Sequence, residues 1–454
     1  MGYIYCEKTN FKYDTKDIFE ISLEIFKNLE KYTSKNKFLF FSFCENSLIP
    51  FLLYLFCKKN NQTIALLDKK LDFSLKKNLI EKYKPTFILD STLLKENYKE
   101  LNYKLFLTFE IDNEYALYVN EKNEFPLHPD LFLLLPTSGT TGSPKFVRLS
   151  YENVNINTKQ ILDYLPIENN DVAITNLPMF YSYGLSVINT HLKRNASIVF
   201  TRKNIFERDF WNLFKEFNIT NFNGVPYHYL VLHRFKYSFK NIKFITQAGG
   251  KLNKGTKLYF YKDSIQNNYK FFIMYGQTEA TARISYVPPN YLPEKIESIG
   301  IPIKYGKLFI KNGELYYQGP NVMMGYANNY LDLQKEKEVD VLKTGDLGYQ
   351  DEDGFFYVTS RKKRIAKVYG LRISLDDLEN YIETEFTIPC LCKIKEDPLS
   401  GEKVLIYLES PSKDLIDNIK NDVEQKYKIK AFQIISVDKI PIKASGKKDY
   451  KKDI

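Results

Sequence analysis

Short apolar runs alternate with longer amphipathic stretches between residues 37 and 135: FLFFSF (38–43), LIPFLLYLFC (48–57), TIALLD (63–68), SLKKNLIEKY (74–83), TFILD (86–90) and LFLLL (131–135). The brief runs read as strands and the segments between them as helices, a rhythm that predicts βα units and a mostly parallel sheet. The same beat returns from 171 to 275, with DVAITNLP, SIVF, NIKFITQAGG and KFFIMYG as strands. From about 299 it changes to short strands broken by turn residues, KLFIKNGELYYQGP and DLGYQDEDGFFYVTSR, which predicts a small β subdomain over about 299–360. Beyond the basic RKKR at 361–364 lies a compact tail with strands near CLCKIK (390–395), KVLIYLE (403–409) and AFQIISV (431–437). The expected fold class is α/β. A large N-terminal domain (1–360) of βα-built sheets plus the β subdomain precedes a small α+β C-terminal domain (361–454), as the length of 454 residues also suggests.

Ligand loops in open parallel sheets follow the carboxyl ends of strands. Three segments sit there: PTSGTTGSPK (136–145) after Leu135, the AGG turn (248–250) after Thr246, and YGQTE (275–279) after Met274. In the first, Gly139 and Gly142 let backbone N–H groups turn toward anionic oxygens, Thr137, Ser138, Thr140 and Thr141 add hydroxyl donors, and Lys145 closes the loop with a cation. That chemistry suits a nucleotide polyphosphate. A Walker loop is excluded, because the position five beyond Gly139 is Pro144. The alternative is a surface turn rich in Gly, Ser and Thr.

Composition adds little to this picture and removes several readings. The net charge of +10 comes from scattered lysine accompanied by Asn, Ile, Tyr and Phe, the residues of A/T-rich codons, with no basic stripe of the kind nucleic acids require. Five cysteines, Cys6, Cys44, Cys57, Cys390 and Cys392, have no framework spacing, and Cys390-Leu-Cys392 reads as a strand rather than a metal pair. The greasy stretch 38–57 is interrupted by Glu45, Asn46 and Pro50, so it reads as a strand and a buried helix, not a membrane span. No secretory signal is recognisable at the amino terminus, and a cytoplasmic protein is expected.

The 136–145 loop resembles the signature of the adenylate-forming superfamily: acyl-CoA synthetases, amino-acid adenylation domains and luciferases. The resemblance continues in the family's order through LPMFYSYGLS (177–186), AGGKL (248–252), YGQTEA (275–280), GELYYQGPNVMMGY (313–326), TGDLGYQDEDGFFYV (344–358), 360–379 and IPIKASGK (440–447). It implies that ATP and Mg²⁺ bind in a cleft closed by a mobile C-terminal domain, and that a carboxylic acid, amino acids included, becomes an acyl-adenylate with release of pyrophosphate. It assigns Lys447 to the substrate carboxylate and α-phosphate, with Lys448 as a competitor, Glu279 to the metal and Thr278 to the α-phosphate. Gly249, Gly250 and Tyr275 would line adenine, Asp346 and Arg361 the ribose, and Tyr181, Tyr183, Gly184 and Gly276 the acid. Lys363 would be the hinge, and Gly370 the close approach for a pantetheine arm in the thioester step.

The chain departs from the family at two points. Many members have His where Tyr181 stands, and tyrosine does not titrate near neutral pH. The aspartate that anchors an amino-acid ammonium in peptide-synthetase domains is Gly184 here. The absence of an appended carrier domain after Lys447 favours a free-standing acyl or peptidyl carrier protein as phosphopantetheine acceptor, with CoA the alternative. An inactive nucleotide-binding scaffold is the reading from another class.

Overall fold

The computed structural model describes residues 2–34, 36–136, 145–361, 364–368, 371–397, 401–427 and 429–452. Four sheets organise them. The nine-stranded sheet has a parallel heart, Ser197–Phe200, Val172–Ile174, Asn221–Gly224, Phe244–Gln247 and Lys270–Tyr275, with antiparallel strands at both edges. The eight-stranded sheet pairs Leu39–Cys44, Thr63–Asp68, Phe87–Ser91 and Leu131–Pro136 in parallel and finishes antiparallel on each side. Continuous burial along Leu39–Cys44 and Ser197–Phe200 explains their unbroken apolar sequences, since helices cover both faces of a parallel sheet.

The helix Leu48–Lys59 is buried from Leu48 through Cys57, as its all-round hydrophobic sequence demands. It lies between the two large sheets. Phe51 packs on Phe200 of one, with ring centroids 4.7 Å apart, and Tyr54 on Phe132 of the other, at 5.5 Å. Helix Ser182–Lys193 is buried from Ser182 through Leu192, and the Tyr54 hydroxyl donates to its Asn189.

The third sheet, wholly antiparallel, is Lys307–Lys311, Glu314–Gln318, Val341–Gln350 and Phe356–Arg361. The fourth begins at Ile365–Val368 and carries the helices Leu375–Glu385 and Lys413–Tyr427 around a core of its own, which includes Leu378, Ile382, Val404 and Ile419. The fold is thus α/β with a small C-terminal domain. Both Cys390 and Cys392 lie on a strand, Cys390–Asp397, and all five cysteines are free and buried. Among the described residues no helix is long and apolar enough to cross a membrane.

Candidate active site

The parallel strands Asn221–Gly224, Phe244–Gln247 and Lys270–Tyr275 end side by side, and the segments that follow them form one wall of a cleft of about 340 Å³. Gly249, Gly250, Tyr275 and Gly276 face it from this wall, Asp346 and Arg361 from the third sheet, and Lys443, Gly446 and Lys447 from the C-terminal domain. The volume lies in the range of small-molecule sites.

Asp346 and Arg361 meet because of strand register: they are direct partners across the antiparallel pair Val341–Gln350 and Phe356–Arg361, and Arg361 Nε lies 3.4 Å from Asp346 Oδ1. The other carboxylate oxygen accepts from the Tyr275 hydroxyl and from Gln277 Nε2, the latter at 3.1 Å. Burial and the adjacent Asp346 carboxylate push the Tyr275 phenol far above its ordinary range, so it remains a donor. A carboxylate held this way is suited to a vicinal diol.

Glu279 sits in a short 3-10 turn, Thr278–Ala280, and accepts from the Tyr326 hydroxyl at 2.9 Å. Lys145 lies over the face of the same Tyr326 ring, its Nζ 3.4 Å from the centroid, so the cation that closes the glycine-rich loop and the acid of the YGQTE segment share one aromatic support. Tyr326 falls inside a quoted motif, yet nothing in its sequence context marks this bridging position. Thr278 Oγ1 is 3.4 Å from Ser182 Oγ at the start of the buried helix.

Lys447 enters from a tight turn in which Gly446 N–H donates to Lys443 O and Lys443 N–H to Lys447 O, both at 2.8 Å. Gly446 is in the left-handed region, φ 75°, and a Cβ there would come within 2.6 Å of Val225 Cγ2. Only glycine lets the turn sit this close to the large domain. The Lys447 ammonium lies 4.8 Å from the centre of the Tyr181 ring. Burial, then the Arg361 and Arg283 charges, lower its pKa to about 8, while Glu279 and Asp346 oppose the shift. Lys447 therefore shares a field with Glu279, Asp346 and Arg361.

Neighbouring Lys448 is committed elsewhere. It pairs with Glu379 Oε2 at 2.8 Å and Glu383 Oε1 at 2.7 Å on helix Leu375–Glu385, and Arg364 Nη2 reaches the other Glu379 oxygen at 2.6 Å. Burial alone would raise the Glu379 carboxyl, but Lys448 and Arg364 hold it below its usual range. This clamp fixes the residue beside Lys447.

Tyr181 points its hydroxyl into the AGG turn, where a Cβ on Gly249 would be 2.5 Å from it. The Tyr183 hydroxyl bonds Thr246, its oxygen 3.0 Å from the Thr246 carbonyl. Gly184 packs instead: a Cβ there would meet Pro178 O at 2.3 Å. The loop residues Thr137, Ser138, Gly139, Thr140, Thr141 and Gly142, the hinge candidate Lys363 and Gly370 lie outside the described residues.

A nucleotide-sized cleft between an α/β body and a small C-terminal domain, with a ribose-type carboxylate and an entering lysine, has the architecture of adenylate-forming enzymes. The chain belongs to the AMP-binding enzyme family, whose profile matches residues 77–327, more than half of its length. A 4-coumarate–CoA ligase-like protein of Arabidopsis thaliana is 26% identical over 328 residues, 62% of this chain and 56% of the relative. An oxalate–CoA ligase of Saccharomyces cerevisiae is 27% identical over 382 residues, 77% and 67% respectively. The chain spans about half to two thirds of the length of such curated relatives. Bacillus subtilis o-succinylbenzoate CoA synthetase, solved with its acyl-adenylate intermediate, shares the fold with a TM-score of 0.79 at 22% identity, over 98% of this chain and 93% of that one.

Proposed function

We propose that this protein activates a carboxylic acid with ATP, forming an acyl-adenylate and pyrophosphate, and then transfers the acyl group to a pantetheine thiol. The observation that carries the reading is that Lys447, from the C-terminal turn, meets Asp346 and Arg361 of the third sheet in one cleft and lies within the field of Glu279, which follows a strand of the nine-stranded sheet. A carboxylate is already a nucleophile and needs no general base. Catalysis then rests on holding it in line with the α-phosphorus and on neutralising the charge that gathers there. Lys447 supplies the mobile positive charge, Asp346 and Arg361 hold the ribose, and Lys145 faces the phosphates.

Glu279 fits a magnesium ion as a single hard carboxylate beside the phosphate loop, because Mg²⁺ at nucleotide sites takes one or two carboxylates and completes its shell with phosphate and water. Among the described residues no larger acidic cluster offers an all-protein cage. Bound there, the ion would neutralise phosphate charge.

For the acceptor we take free CoA. The names of the curated relatives, CoA ligases of several acids, support it over a carrier protein. Acid-dependent ATP–pyrophosphate exchange, screened over amino, hydroxy, aryl and aliphatic acids and followed by a CoA-dependent thioester assay, tests both halves. ATP binding without exchange for any acid would leave only a nucleotide-binding scaffold.

A further inference from the structure

Helix Leu375–Glu385 directs its carboxylates two ways. Glu379 and Glu383, with side chains 5% and 9% exposed, pair with Lys448 and so hold the C-terminal domain to itself. Asp377, in the first turn, reaches the other domain: its Oδ1 lies 3.1 Å from Nζ of Lys251, 126 residues away in sequence on the AGGKL segment. Lys251 lines the cleft directly after Gly249 and Gly250, whereas among the described residues Asp377 is not part of that lining. The backbone of Asp377 is occupied separately, its N–H by Ser374 Oγ at 3.2 Å and its carbonyl by the Tyr427 hydroxyl at 3.3 Å. Its carboxylate is left for the large domain.

The two pairings differ in strength as well as direction. The Lys251 and Asp377 side chains are 32% and 44% exposed. An ion pair so open to water shifts an equilibrium by only about a few-fold and is screened by salt, whereas a buried pair is costly to break. The weak pair sits at the joint that brings Lys447 to the cleft. Along the same joint Gly446 seats against Val225, and Lys439 Nζ lies 5.2 Å from the centre of the Phe206 ring, which packs on Tyr227 at 5.7 Å.

We propose that Lys251 and Asp377 form a latch between the domains, a positioning pair that favours the arrangement with Lys447 in the cleft and that water and salt can release in each cycle. Its part in the reaction rests on the proposed acid activation, but the latch itself is a property of the free chain and is measured without substrate.

The test is amide hydrogen exchange of the full chain, followed at 440–447, which carries Lys447, and at 246–252, against which the small domain docks. Asp377→Asn should speed hydrogen exchange at both by about threefold and Lys251→Met by the same factor, with the double variant no faster than either single one. Asp377→Lys, which turns attraction into repulsion, should speed it further, and adding Lys251→Glu should restore protection. Sodium chloride at about 1 M should act on the parent protein as Asp377→Asn does and leave that variant unchanged. Strand Cys390–Asp397 is the control, since a substitution that merely loosens the domain would speed hydrogen exchange there as well. With an acid that supports pyrophosphate exchange, Asp377→Asn should slow adenylation about threefold without slowing thioester formation. Unchanged protection, additive single variants, or equal slowing of both half-reactions would overturn the latch and leave acid activation standing. Absence of pyrophosphate exchange with every acid, ATP still binding, would remove the reaction and the latch's part in it, with the domain contact still open to hydrogen exchange.

Discussion

The charge of Lys447 is held where burial and two arginines oppose it, and that makes it sensitive to pH. Its pKa of about 8 lies below the ordinary 10.5, so the ammonium is nearly complete well below pH 8 and is lost as pH rises through that value. In the free enzyme kcat/KM for adenylation should therefore fall about tenfold per pH unit above about pH 8, a limb that Lys447→Arg should abolish because a guanidinium does not titrate there. A lysine–carboxylate pair at roughly 4 Å and an effective dielectric near 20 contributes about 4 kcal/mol. Lys447→Ala should accordingly slow exchange by about two to three orders of magnitude with ATP affinity little changed, and a matching loss of ATP binding would refute the role. Asp346 should divide the other way. Asp346→Ala would remove the charge-assisted hydrogen bonds proposed for the nucleotide, and calorimetry should show ATP binding weakened by about ten- to a hundredfold.

At the scale of elements, the clamp between the C-terminal turn and helix Leu375–Glu385 positions Lys447 without touching substrate. Lys448→Ala should lower kcat by about tenfold at constant KM for ATP, and Lys448→Arg should recover most of it, since the pairing with Glu379 and Glu383 needs only a cation. Elsewhere a reciprocal cap starts helix Tyr151–Tyr164: Ser150 accepts from the Asn153 N–H and Asn153 from that of Ser150. Ser150→Ala should cost about 1 kcal/mol, read as a lowered Tm. The strands Thr63–Asp68 and Ser197–Phe200 coincide with the apolar runs read in the sequence, because burial on both faces leaves an unbroken signature. The hairpin Tyr3–Cys6 and Phe11–Asp14 was not legible: an edge strand with exposed Phe11 and Lys12 carries no such mark. Within the site, local motifs pointed to the glycine turns and to Lys447. Contacts made by register or long-range packing, Asp346 on Arg361, Tyr326 under Lys145 and Arg283 on Tyr183, have no local pattern to read.

For the whole molecule, the proposed thiol transfer would need the face that Lys447 occupies in this structure, so the two proposed half-reactions would call for two arrangements of the domains. Lys363→Pro, which restricts the backbone at the proposed hinge, should leave pyrophosphate exchange within about twofold and suppress CoA thioester formation at least tenfold. Normal rates for both steps would count against alternation. The seat of Gly446 against Val225 carries a consequence for economy: it holds the C-terminal turn against the large domain, so while that turn is docked the proposed acyl-adenylate would be retained beneath it. A Gly446→Val enzyme, whose turn no longer closes flush, should leak its intermediate, and assays of pyrophosphate and AMP would register ATP consumed wastefully in the absence of any thiol.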